Sequence, residues 1–210
     1  MRVLITGATG FIGRHLCVAL HRRGYECVAL SSRPASAKKK IPLLSAVWPW
    51  STSESPAPEA FDGVDTVIHL AGEPVAGLWT KSKKNAIEKS RVIGTNNLLK
   101  GILAMPNPLT RLVSMSAIGF YGPRGNDVLT ESDGVGDTFL AGVAMDWERN
   151  ASIASQHGIK TAIFRLGLVL GHDGGLLQKM WLPFNLGLGG PLGSGSQWWS
   201  WVHMDDVINA

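Results

Sequence analysis

The chain has 210 residues, 45% of them hydrophobic, and 20 Lys and Arg against 16 Asp and Glu for a formal net charge of +4. That length and apolar content suffice to bury one sizeable core, which excludes a disordered or fibrous polypeptide. The basic residues form short clusters, Lys38-Lys39-Lys40 and Lys81 to Lys84, which read as solvated loop or helix faces and argue against a nucleic-acid partner.

In chain order, apolar runs of strand length alternate with segments of helix length, the pattern of a parallel sheet covered on both faces. Strands are expected at 3–6, 26–30, 66–70, 112–116 and 161–166, and helices at 12–23, 85–105 and 139–156. Residues 31–61 are rich in Ser, Pro and Ala, with one short strand expected at 47–50. Cys17 and Cys27 fall in the first helix and second strand without metal-ligand spacing, so buried reduced thiols and no metal site are expected. The opening residues enter a strand directly and no apolar run approaches the ~20 residues of a membrane span, so the reading is a cytoplasmic protein with no membrane partner. After Gly167 the composition shifts to Gly, Leu, Pro and Trp, so the chain divides into a dinucleotide-binding domain at 1–170 and a cleft-walling segment at 171–210. Asp205 is expected to cap a helix beginning at Asp206.

The turn Thr6-Gly7-Ala8-Thr9-Gly10-Phe11-Ile12-Gly13 joins the first strand to the first helix. Gly7 permits a tight turn, Gly10 admits a close backbone approach to phosphate, and Gly13 lets helix and strand pack closely. The free N–H groups and helix dipole then face an anion, which points to a dinucleotide pyrophosphate against Gly7, Thr9, Gly10, Phe11, Ile12 and Gly13. An acidic residue ending the second strand would bind ribose hydroxyls and repel a 2′-phosphate. This chain has Ser31-Ser32-Arg33 there, and Ser32 and Arg33 suit a phosphate dianion, so NADP is favoured over NAD.

These residues resemble the extended short-chain dehydrogenase/reductases, also named NAD-dependent epimerase/dehydratases, through the glycine turn and through Val67-Ile68-His69-Leu70-Ala71-Gly72. Within that superfamily the chain resembles the epimerase family protein branch, family 39U. The likeness is carried by Leu70-Ala71-Gly72-Glu73, Ser90-Arg91, the run from Ser116 to Gly122, Asp146-Trp147-Glu148 and the run from Ser200 to Val207. The resemblance implies a Rossmann-type doubly wound parallel sheet and an NADP-dependent oxidoreductase of undetermined substrate. It also implies roles: Ser32 and Arg33 at the adenosine phosphate, His69 and Leu70 flanking the cofactor, and Ala71, Gly72 and Glu73 lining the same cleft. Arg91 should face the cofactor too, with Gly167 and Leu168 near the nicotinamide end.

One family feature is missing. Short-chain reductases pair a Tyr proton donor with a Lys four residues on along the same helix face. The only tyrosines here are Tyr25 and Tyr121, followed four residues on by Ala29 and Gly125, so the chain has no Tyr-x-x-x-Lys. Ser116 and Tyr121 are the candidate catalytic groups in its place, although counting back from Tyr121-Gly122 puts Ala117 at the usual hydroxyl position. His203 and Asp205 look like a catalytic pair, but Asp205 or Asp206 suits a helix cap, which is the stronger reading. The C-terminal substrate lobe of extended members is expected to be largely missing. The readings that remain are a reductase of a small carbonyl or enone, a non-catalytic NADP(H)-binding or sensing protein, and a sugar-nucleotide epimerase or dehydratase, ranked last. The oligomeric state is open, a homodimer included.

Overall fold

The computed structural model describes residues 1–106 and 109–210. Its centre is a six-stranded sheet made of β1 (Arg2–Thr6), β2 (Glu26–Ser31), β3 (Ala46–Pro49), β4 (Thr66–His69), β5 (Arg111–Ala117) and β6 (Lys160–Leu166). The order is β3-β2-β1-β4-β5-β6, with every neighbouring pair parallel. Alternation along β1 sends Val3 and Ile5 to one face, against Cys17, Leu20, Cys27 and Leu44. Leu4 goes to the other face, where Trp50, Phe61, Val67, Leu98, Ile102 and Leu112 close the larger core. Chain order reverses between β1 and β4, so the carboxyl ends of those strands form the crevice in which doubly wound sheets bind ligands.

The helices are α1 (Phe11–Arg22), α2 (Pro34–Lys40), α3 (Lys81–Leu103) and α4 (Phe139–Gln156). In α1 the buried residues Gly13, Cys17 and Leu20 recur at helical spacing, and His21 and Arg22 in the last turn complement the dipole. The sequence reading missed α2 inside its irregular stretch: Pro34 opens that helix and three lysines close it, seven residues being too few to show a period. Helix α3 starts four residues earlier than expected because Thr80 caps it, accepting from the Lys83 N–H at 3.1 Å. Both thiols are free and buried, and burial pushes the Cys17 thiol up to about 12.

Beyond β6 the chain forms β7 (Leu168–Leu170), α5 (Gly175–Asn185), β8 (Trp201–His203) and α6 (Met204–Asn209). The expected division at residue 170 falls at the end of β7, which pairs in parallel with β8. The cap expected at Asp205 is corrected: α6 begins at Met204, and the His203 Nδ1 accepts from the Asp205 N–H at 3.3 Å. No helix among the described residues is long and apolar enough to cross a membrane. No group of three His, Cys, Asp or Glu residues there is placed to hold a metal ion.

Candidate functional site

The β1–α1 turn is built around missing side chains. Gly7 has φ +70°, and a Cβ there would lie 2.9 Å from the Leu70 carbonyl and the Ala71 nitrogen. A Cβ on Gly13 would stand 2.3 Å from the Gly7 carbonyl oxygen, and one on Gly10 3.1 Å from the same atom. Gly10 is the N-cap of α1 and makes no side-chain cap, so no side chain of its own occupies the space before the first-turn N–H groups. The turn is therefore a cradle open to an anion, and it fits a dinucleotide pyrophosphate.

A cleft of about 460 Å³ opens beside this turn at the switch point. Of the residues singled out in the sequence, Gly7, Gly10, Phe11, Ile12, Gly13, Leu70, Gly72, Arg91, Ser116 and Gly167 line it. Thr9 sits exposed at the tip of the turn, and Ser32 and Arg33 are exposed at the end of β2, beyond the cleft. The Arg33 guanidinium has no partner among the described residues, while its backbone N–H is held by the Ser31 Oγ at 3.1 Å. Leu168 points outward, and strand alternation puts Gly167 and Val169 on the cleft wall in its place. His69 does not flank the cleft as expected: it is fully buried beneath it between Thr6 and Thr95. Ala71 is also absent from the wall.

Among the described residues, Arg91 supplies the cleft's one cationic side chain. Its Nη1 donates to the Glu73 carbonyl at 2.9 Å and the Ile87 carbonyl at 3.3 Å, and its guanidinium stacks 5.1 Å from the Trp147 ring centroid. Burial lowers its pKa, opposed by the Glu73 charge. The Glu73 carboxylate, however, pairs at 2.5 Å with Lys83, so it stays out of the cleft and leaves Arg91 bonded to backbone carbonyls. A Cβ on Gly72 would meet the guanidinium at 3.1 Å, which makes that glycine the door through which Arg91 reaches the cleft.

The face that α4 turns to the cleft is Leu140, Val143, Ala144 and Trp147, with no ionisable group on it. Ser116 donates its hydroxyl proton to Glu148 Oε1 at 2.6 Å. Glu148 in turn accepts two bonds from Arg165, each at 2.8 Å, and Arg165 Nη1 donates to the Tyr121 Oη at 2.8 Å. The Arg165 guanidinium lies 3.6 Å from the Phe120 ring centroid, and bonding to Glu148 raises its pKa. The two candidate catalytic groups are thus joined through one ion pair, and Tyr121 itself stays off the cleft wall. Sequence reasoning missed Arg165 and used Glu148 only as a family marker. The available signal was a lone arginine inside the otherwise apolar end of β6.

A larger cavity of about 670 Å³ runs along α5, lined by His172, Leu177, Gln178, Met180, Trp181 and Phe184. It is nearly all apolar and far poorer in convergent polar groups than the switch-point cleft, which is the better candidate site.

A parallel 3-2-1-4-5-6 sheet with a glycine cradle and a cleft at its switch point defines a Rossmann-type dinucleotide-binding protein. The chain belongs to the NAD dependent epimerase/dehydratase family, whose sequence model matches residues 3–210. It is 36% identical over 211 residues to an Arabidopsis thaliana protein named epimerase family protein SDR39U1 homolog, chloroplastic, covering all of this chain and 60% of that one. Among solved structures it is similar to human epimerase family protein SDR39U1 (isoform 2) with NADPH, at 32% identity and TM-score 0.84, covering 99% of this chain and 68% of the other. It is also similar to the nucleoside-diphosphate sugar epimerase of Corynebacterium glutamicum, at 35% identity and TM-score 0.81, covering 100% and 42%. The chain therefore spans about three fifths of its plant relative.

Proposed function

We propose that the chain binds NADP(H) across the β1/β4 switch point and acts as an oxidoreductase of the extended short-chain dehydrogenase/reductase type on a small apolar carbonyl or enone. The observation that carries the reading is the glycine turn: Cβ atoms on Gly7 and Gly13 would strike the backbone of Leu70–Ala71 and of Gly7–Ala8, so only glycines let the turn close this tightly and leave the first-turn N–H groups of α1 open to a pyrophosphate. The NADPH in the human relative's structure supports the same choice. In this reading the N–H groups of the first turn of α1 hold the pyrophosphate, Ser32 and Arg33 hold the 2′-phosphate, and Arg91 adds positive charge to the cleft. NADPH, when bound, supplies a hydride. Among the described residues Ser116 is the only hydroxyl on the wall, and the apolar face of Met115, Leu140, Val143 and Ala144 favours a substrate with few polar groups. A small molecule, not nucleic acid or membrane, is the expected partner, and a reducing compartment such as the cytoplasm suits the two free thiols.

A second reading, a protein that holds NADP(H) without turning it over, has its own observation in favour. The Ser116 proton is committed to Glu148, and α4 offers no acid to the cleft. Fluorescence titration of NADPH against NADH tests the cofactor: Arg33→Ala should weaken NADPH by about tenfold and leave NADH unchanged, and equal affinity of the native chain for both sinks the NADP assignment. A screen of carbonyls and quinones for NADPH loss tests turnover. Activity that survives Ser116→Ala unchanged removes Ser116 from the chemistry, and no loss of NADPH with any substrate favours the second reading.

A further inference from the structure

Thr6 and His69 meet at the carboxyl ends of β1 and β4, both with no exposed surface. The Thr6 Oγ1 receives two backbone N–H groups at 3.1 Å each, that of Ala71 and that of Leu70, the latter shared with the Thr6 carbonyl at 3.2 Å. It also lies 2.7 Å from the His69 Nδ1. A hydroxyl has two lone pairs and one proton. With both lone pairs used by N–H groups, the proton goes to His69 Nδ1, which must then be the bare nitrogen of a neutral ring. The ring proton sits on Nε2 and is donated to the Thr95 Oγ1 of α3 at 2.9 Å. Edge contacts to Trp50 at 6.4 Å and Trp147 at 6.3 Å between centroids hold the imidazole in this orientation.

The consequence reaches the cleft without His69 touching it. Thr6 immediately precedes Gly7, and the two N–H groups it holds belong to the segment that passes 2.9 Å from the place where a Gly7 Cβ would be. One hydroxyl therefore stitches the glycine turn to the Leu70–Gly72 wall, and its lone pairs face that wall only because its proton is drawn away by Nδ1. We propose that His69 is a positioning residue for the dinucleotide: as a bare-Nδ1 acceptor it orients the Thr6 hydroxyl, and that hydroxyl sets the spacing of the two backbone segments between which the cofactor lies. This rests on the dinucleotide reading above.

The test uses side chains that copy one ring nitrogen at a time. In His69→Asn the amide oxygen replaces Nδ1 and keeps the acceptor for Thr6, whereas in His69→Gln the amide nitrogen replaces Nε2 and keeps the donor to Thr95. NADPH dissociation constants are read by fluorescence titration, with thermal midpoints of the same samples as the measure of folding. His69→Asn should bind within about threefold of the native chain and His69→Gln about tenfold more weakly, for the loss of one buried hydrogen bond. Midpoints should fall for both. A second pair acts on the other partner, Thr6→Ser retaining native affinity and Thr6→Val losing about tenfold, and it decides the matter if the histidine variants do not fold. Equal weakening of Asn and Gln in proportion to their midpoints, or native affinity in Thr6→Val, would overturn the proposal and leave His69 a filler of the core. Failure of the native chain itself to bind NADPH would instead strike the dinucleotide reading on which the proposal stands.

Discussion

Ser116 and Glu148 share a proton across 2.6 Å, and the carboxylate that accepts it is the one that Arg165 grips with two further bonds. Arg165 and Glu148 keep only 20% and 13% of their side-chain surface exposed, so removing the acid strands a cation in a poorly solvated position. Glu148→Ala should cost about 2 kcal/mol of stability, and Ser116→Ala about 1 kcal/mol or less, because a single hydrogen bond is lost and no charge is left unpaired. Urea midpoints at neutral pH measure both. A Glu148→Ala chain as stable as the native one would mean that water already solvates Arg165.

His69 should make the fold sensitive to mild acid. Its pKa is lowered from the ordinary 6.5 to about 4, first by burial and then by the Arg91 charge. The unfolded chain takes up a proton at this residue as pH drops below 6.5, and the folded chain does not until about 4. The unfolded state thus binds more protons in that window, and stability falls with falling pH by about 3 kcal/mol in total. Urea midpoints at pH 7, 5.5 and 4.5 should show the decline, and His69→Asn should flatten it. A native chain with level midpoints over that range would contradict a neutral buried ring.

The glycines separate into two kinds by what surrounds them. Gly13 has ordinary backbone angles, but its Cβ would meet the Gly7 oxygen at 2.3 Å and the Ala8 Cα at 2.7 Å, both backbone atoms that cannot step aside. Gly24 has φ +78° and open space around it. Gly24→Ala should therefore cost only the left-handed backbone penalty, about 1 kcal/mol, with NADPH binding intact. Gly13→Ala should displace α1 from β1 and abolish detectable binding even where the chain still folds. Comparing midpoint and NADPH titration for the two variants checks this, and a Gly13→Ala chain with native affinity would break the case for the cradle.

What the sequence disclosed and what it hid follow from the range of the forces involved. Parallel strands buried on both faces are largely apolar, so β1, β2 and β4 were readable from their apolar runs, β5 and the edge strand β6 from shorter apolar stretches, and the glycine turn from its local chemistry. α2 was not, being too short to show a period, and neither was the start of α3, which depends on the Thr80 cap rather than on apolar spacing. Long-range pairings were invisible: Ser116 finds Glu148 and Arg165 only once β5, α4 and β6 have packed. His69 was legible as important but misplaced, because strand phase decides whether a residue faces the cleft or the core, and the cleft wall begins one residue later at Leu70.

The stretch that leads from β7 into α5 is tied to α1 through Asp173. Asp173 Oδ1 lies 2.9 Å from His15 Nε2, its Oδ2 lies 3.2 Å from Arg14 Nη2, and Gly171, Gly174 and Gly175 close around the Phe11 ring, where Cβ atoms would come within 2.9, 2.3 and 2.8 Å. Little else holds α5, which buries none of its residues and carries Pro183 within it. Burial alone would raise the Asp173 pKa, but the His15 hydrogen bond and the His15 and Arg14 charges outweigh it and hold the carboxyl below its ordinary 3.8. The anchor is thus present above the ordinary carboxylate range and is lost only as pH falls through the lowered value, below the window in which His69 acts. Asp173→Ala should leave the sheet intact while speeding amide hydrogen exchange across 175–185, since the carboxylate's two ion pairs are lost and the start of α5 is then tied to α1 by the Arg14 bond to the residue-173 carbonyl and by the Phe11 contacts. Hydrogen-exchange mass spectrometry resolves the two regions. Unchanged protection of α5 would show that the Phe11 contacts hold this segment, which lines the apolar cavity rather than the switch-point cleft, without the ion pair, and slower exchange in β1 or β4 would contradict it.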